Sequence, residues 1–203
     1  MSDALDTRSQ LIDATINALH DIGPSGLRVS KIALEVGISE ASVYHFFKNK
    51  NDLIETSQIE AYRRSYLEMV IPFSAAVDLS DSAEDFIRVV RKLYEMIFSV
   101  ERHPIRAART QVIGAAMASP RLRESLNLIN REVHEELAEV IRRAQGRGWV
   151  NPDRDARAIA YWINAQTNGR VLIEMDPDWG DLSNWNEIAV SALLSIFDPQ
   201  LKQ

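Results

Sequence analysis

The stretch Lys31-Ile32-Ala33-Leu34-Glu35-Val36-Gly37-Ile38-Ser39-Glu40-Ala41-Ser42-Val43-Tyr44 has the parts of two short helices joined by a tight turn. Ala33 is small where a second helix has to cross the first closely, and Gly37 can take the left-handed backbone of the turn without the penalty a Cβ brings. Ser39 is a good N-cap for the second helix, because its oxygen can accept an orphan amide of the first turn. Ile32, Val36, Ile38, Val43 and Phe46 are apolar where they would face the inside of a three-helix unit completed by the preceding helix. The pattern is that of a helix-turn-helix over residues 30–47.

A helical hairpin inside a core would also tolerate Ala33 and Gly37. The outward face decides between the two readings: Ser39, Ala41, Ser42, Tyr44, His45, Lys48 and Lys50 are small, hydroxylated or basic and cluster within a few turns. A short helix with such a face suits the major groove of double-stranded DNA.

Working outward, the chain reads as all-α, about nine helices. Glycine and proline are scarce and sit mostly where helices should start or stop, and β-branched alternating runs are absent. Helix 1 is expected from Thr7, with Gln10 at capping-box spacing, to Gly23-Pro24. Asn49 should cap a long helix that Pro72 ends. Ser82 to Phe98 has helical apolar spacing, Pro104 begins another helix, and Ser119-Pro120 opens one that closes at Gly146-Arg147-Gly148. Asn151-Pro152 is expected to open the next, running to about Met175. A turn-rich loop over 176–181 precedes a last helix capped by Ser183. The expected division is a DNA-binding domain over 1–52 and a ligand-binding and dimerisation domain over 53–203.

Composition bounds the rest. With 46% hydrophobic and 26% charged residues, the 203-residue chain matches ordinary globular averages and should bury a real core. No cysteine occurs, which removes disulfides, thiolate zinc sites and thiol catalysis and is compatible with a reducing cytosol. The first residues have neither a basic nor an apolar run, and no stretch of about 18 or more apolar residues follows, so a cytoplasmic protein away from the membrane is expected. The net charge of −6 is awkward for DNA: Arg8, Arg28, Lys31, Lys48 and Lys50 are outnumbered by Asp3, Asp6, Asp13, Asp21, Glu35, Glu40 and Asp52. The DNA reading therefore rests on where the charges lie.

The segment Ile32-Ala33 through Gly37-Ile38-Ser39, then Val43-Tyr44-His45-Phe46-Phe47, Lys50 and Leu53, resembles the DNA-binding region of the TetR family of transcriptional regulators. The resemblance covers about the first fifty-five residues. It implies an N-terminal three-helix reader, a C-terminal ligand-binding and dimerisation domain, and repression relieved by a small-molecule effector. By position it puts Ser39, Glu40, Ala41 and Ser42 at base edges and Tyr44, His45 and Lys50 toward phosphates, with Arg8 and Lys48 as weaker phosphate candidates. The other reading of Tyr44 is a half-buried core tyrosine, and of His45 and Lys50 a solvated side chain. Arg28 stands where the family often has a capping threonine; it cannot cap in that way but can fork onto a phosphate. Glu40 can accept from a cytosine amino group or only stabilise the helix start, and both readings stand.

In the C-terminal part, Trp185, Ile188, Ala189, Ala192, Leu193 and Ile196 form an apolar stripe that Val190, Leu194 and Phe197 widen. Paired with Ile159 and Ile163 of the preceding helix, it suits a four-helix homodimer interface; a helix buried in its own core is the alternative. Two-fold symmetry would favour a palindromic operator, with reading heads about 34–36 Å apart. Tyr94, Gln111, Met117, Asn127 and His134 are candidates to line a pocket for an effector the sequence does not identify, against ordinary core and surface positions. Regulators that activate, or that take no ligand, fit the same motif.

Enzyme readings find little support. His134-Glu135 begins like a metalloprotease helix, but Ala138 stands where the second histidine should be, and no phosphate loop or nucleophile elbow occurs. No cofactor, metal or catalytic residue is expected.

Overall fold

The computed structural model describes residues 2–176, 178 and 180–200, including their side chains except for residues 2–5 and 67–69. Among them are nine α-helices, one 3-10 turn at Val100–Arg102 and no strand: α1 (Ser2–Gly26), α2 (Val29–Val36), α3 (Glu40–Phe46), α4 (Lys50–Leu79), α5 (Ala83–Ile97), α6 (His103–Ala118), α7 (Pro120–Gly146), α8 (Ala156–Glu174) and α9 (Ser183–Phe197). Pro177 and Trp179, in the expected loop before α9, lie outside the described residues.

Among the described residues two compact units form, those up to 64 with 112–126, and those of 65–111 with 127–200. The first runs past the expected boundary at 52 because Leu53 and Ile54 belong to the head's apolar cluster, with Leu11, Ile12, Leu27, Ile32, Ala33, Val43 and Phe47. In the second, Phe86 stacks on Trp149 (5.5 Å) and on Phe197 (6.0 Å), and Phe73 meets Phe86 edge-on. There too, Glu174 is gripped by Arg106, by Arg170 (3.2 Å) and by His103 (2.9 Å). Burial works against its charge, but the bonds from Arg106 and His103 hold the carboxyl below the usual range.

Several local signals are overridden. Helix 1 starts before Thr7, so Gln10 caps nothing and donates instead to Asp6 (3.0 Å). The break at Gly23-Pro24 is present: Gly23 leaves helical geometry at φ 66°. Pro72 does not end α4, which continues to Leu79. A proline inside a helix costs about 3 kcal/mol, and burial of Phe73, Ala76 and Val77 just beyond it opposes that cost. Asn151-Pro152 forms a turn rather than a helix start; its Asn151 amide donates to Phe197 O (2.8 Å), and Asp155 caps α8 by accepting from Ala158 N (2.9 Å). Asp181, not Ser183, holds the start of α9, accepting from the Ser183 amide and hydroxyl.

The turn between α2 and α3 is as its residues require. Gly37 sits at φ 78°, and the amides of Gly37 and Ile38 close on Leu34 O (3.1 Å) and Ala33 O (2.9 Å). A Cβ there would meet nothing within 4 Å, so the penalty for replacing Gly37 is backbone strain rather than a clash. Gly37→Val is expected to destabilise the head by about 1–2 kcal/mol, read by urea unfolding, with Gly37→Asn costing clearly less.

Candidate functional site

Helix α3 has seven residues, fewer than a helix needs to stand alone in water. Its back is held by Val43, which is fully buried. Its start is held by Ser39, whose hydroxyl oxygen accepts the Ser42 amide at 3.1 Å and lies 2.8 Å from the Ser42 hydroxyl. The front is open: Ser39, Glu40, Ala41, Tyr44 and His45 are exposed, and Ser42 is half-buried. Ser39 and Ser42 thus spend part of their hydrogen-bonding capacity on each other, while Glu40 and Ala41 face outward without that obligation.

The basic candidates lie before and after α3 in sequence. Arg28 is exposed and extended ahead of α2, and its side chain makes no cap bond. The Arg8 guanidinium lies 5.3 Å over the Phe47 ring, tying α1 to the segment after α3. Tyr44 is 45% exposed, which disfavours the core reading of that residue. Lys48 is exposed and Lys50 half-buried, on the approach to α4 and in its first residue.

That approach is fixed by the expected cap at Asn49 and by two residues given no such role from sequence, Asp52 and Arg121. Asn49 Oδ1 accepts the Asp52 amide (2.9 Å) and Asp52 accepts the Lys48 amide (2.8 Å), a reciprocal capping box. Arg121 of α7 pairs with Asp52 (2.6 Å) and Glu55 (3.3 Å), and the Ser119 hydroxyl donates to Glu55 (2.7 Å), all within the first unit. Burial opposes ionisation of Asp52, but the Lys48 amide and Arg121 hold its carboxyl below the usual range. The Asn49–Asp52 spacing was a legible signal; the Arg121 pairing, being distant in sequence, left none.

Comparison with known proteins bears on the same residues. A family model described as bacterial regulatory proteins, tetR family, matches residues 11–56, and one described as BetI-type transcriptional repressor, C-terminal, matches residues 87–177. The chain belongs to the TetR family. The HTH-type transcriptional regulator BetI of Cronobacter sakazakii is similar over 57 residues at 37% identity, 28% of this chain and 28% of that protein. The match therefore spans little more than a quarter of that relative's length. A TetR transcription regulator from Haloarcula marismortui shares the fold with TM-score 0.69 at 19% identity, covering 97% of this chain and 99% of that one. So does a protein from Saccharomonospora viridis solved in complex with choline, with TM-score 0.66 at 20% identity, covering 94% and 95%.

In this TetR-family chain the C-terminal candidates divide. Of the pocket residues, Tyr94 lines a small cavity among α4, α5, α7 and α8, while Gln111, Met117 and Asn127 are exposed. His134 is buried but committed elsewhere. Its Nδ1 donates to Asn130 O (2.5 Å), its Nε2 faces the Asn164 amide (3.0 Å), and its ring stacks on Tyr161 at 3.9 Å. Of the interface residues, Ile159, Ile163, Ala189 and Leu193 are buried within their own unit and have no surface to offer a partner. Ile188 is 70% exposed, while Trp185, Ala192 and Ile196 are half-buried. Apolar surface that the sequence reading missed lies on α8, at Tyr161 and Leu172, and just after it at Met175. Neither stripe reading showed this, because an apolar pattern along a helix does not say which of its apolar positions the rest of the unit buries and which stay in water.

The His134 pair makes a pH-dependent prediction. Burial, with the nearby Arg109 charge, lowers the His134 pKa against the opposing bond to Asn130 O. The protonated ring would also turn an N–H onto the Asn164 amide donor. Because the folded value lies below the unfolded one, protons favour the unfolded chain. Stability should be complete above about pH 6.5 and decline as pH falls toward the folded value. Urea unfolding from pH 7.5 to 5 should show this decline, and His134→Gln should flatten that part of the curve.

Proposed function

We propose that the chain is a homodimeric, sequence-specific repressor of transcription that binds a palindromic DNA operator and is released by a small-molecule effector. In this reading residues 1–52 read DNA, residues 53–203 bind the effector and the second subunit, the protein works in the cytoplasm, and it catalyses no reaction. The observation that carries the reading is the short, capped helix α3, with Glu40 and Ala41 exposed and the basic or hydroxylated Arg28, Tyr44, Lys48 and Lys50 on either side in sequence.

The acidic total does not oppose it, since a few phosphate contacts at set positions are enough to register a reading helix. Two further observations support the remaining parts. Leu172, Met175 and Ile188, at 71%, 65% and 70% exposed, leave more apolar side chain in water on α8 and α9 than a lone subunit usually shows, and a second copy would cover it. Likeness to the BetI-type repressor C-terminal model supports an effector-responsive second domain. Release then requires only that the effector bind the form with lower DNA affinity more tightly. Among the described residues, no helix is long and apolar enough to cross a membrane.

Selection of binding sites from random duplex DNA with the full chain tests the reading. A palindromic consensus with half-sites about 10 base pairs apart is expected. Lys50→Ala should weaken all sequences alike and lower the salt slope by about one. Ile188→Asp should shift the protein to monomer in sedimentation and weaken operator binding together. Recovery of no consensus would overturn the regulator reading, and an Ile188→Asp chain that remains dimeric would overturn the interface.

A further inference from the structure

The outward surface of α3 can be mapped from its one buried residue, Val43, which marks the inward direction. At about 100° per residue, Ala41 and His45 point most nearly away from Val43, Ser42 and Tyr44 lie to the sides, and Glu40 stands in the first turn. Cβ atoms of a helix tilt toward its N-terminus, so Glu40 leans toward the start of α3. That is the end a helix-turn-helix reader presents to base edges.

Glu40 is not needed to hold this start. The Ser39 oxygen already accepts the Ser42 amide at 3.1 Å, and the two hydroxyls lie 2.8 Å apart. Glu40 is exposed, and among the described residues no hydrogen bond or ion pair reaches its carboxylate. An acid left free there repels the phosphates of any duplex. Only a base edge that donates to it can offset that repulsion.

An ionised carboxylate accepts hydrogen bonds and donates none. In the major groove guanine offers only acceptors, and thymine an acceptor and a methyl, so neither can satisfy it. Adenine sets its N7 acceptor beside the N6 donor, which suits an amide better than an acid. Cytosine offers its N4 amino group as a donor. Ala41 carries only a methyl on the outward side, so α3 can approach the groove floor closely enough for its neighbour to reach that edge.

We propose that Glu40 is a specificity-determining residue of this head: its carboxylate accepts from cytosine N4 at one position of each operator half-site and disfavours the other three bases there. The inference deepens the regulator reading and rests on it. Discrimination then comes as much from unmatched acceptors facing the carboxylate as from attraction to cytosine.

Selection of binding sites from random duplex DNA with the full chain, Glu40→Gln and Glu40→Ala tests it. Since Glu40 is exposed, both variants should fold as the parent does. The parent should select cytosine at one position of each half-site, and adenine in its place should weaken binding about tenfold per half-site. Glu40→Gln should select adenine at that position, because an amide can pair with N6 and N7 together. Glu40→Ala should accept any base there, with every other position unchanged. A role confined to the start of α3 would instead weaken all sequences alike. A parent consensus without such a cytosine, or one consensus shared by all three chains, would overturn the proposal and leave the regulator reading standing. Recovery of no consensus by the parent would overturn both.

Discussion

The reading head depends on one asymmetric burial. Helix α3 is too short to persist on its own, and it exists because Val43 is driven into the cluster formed by α1, α2 and the start of α4, with Phe47 closing it just beyond. The same insertion that stabilises the helix leaves its opposite side in water. A longer helix could have tolerated a less definite back; this one cannot, so which residues face outward is decided by where Val43 goes. The caps at both ends serve the same result: Gly37 turns the chain into α3, and the Asn49–Asp52 box turns it out into α4.

Charge enters through position, not through its sum. The chain is acidic overall, with a net charge of −6, and several acids of the head are occupied within it. Asp13 pairs with Arg64 at 2.6 Å, while Asp52 and Glu55 are taken by Arg121. These are exposed or partly exposed pairs, worth little to stability. Their effect here is to engage negative charge near the residues proposed to meet a polyanion, while Arg28 and Lys48 stay exposed.

The head was legible because its signals are local. A glycine at a left-handed turn, a serine at a helix start and five apolar residues at helical spacing each mean nearly the same thing in any context. The second unit was legible only in outline. Pro72 reads as a stop when its neighbours are ignored, yet the burial of Phe73, Ala76 and Val77 carries the helix through it. Ile159, Ile163, Ala189 and Leu193 look like interface residues until their own unit claims them. His134 looked like a polar hook for a ligand and is instead bonded to Asn130 and Asn164. For the His134–Asn164 bond the deciding partner is far away in sequence, and composition at the position carries no trace of it.

The central claim is that DNA meets the outward side of α3 and the approach to α4. Amide spectra of the labelled chain, recorded as duplex operator is added, test it most directly. The expected result is that the largest shifts fall on Glu40 to Tyr44 and on Lys48 to Lys50, with Val43 moving least among them because its side chain faces the core. Shifts confined to α8 and α9 while residues 39–50 stay unchanged would contradict the account.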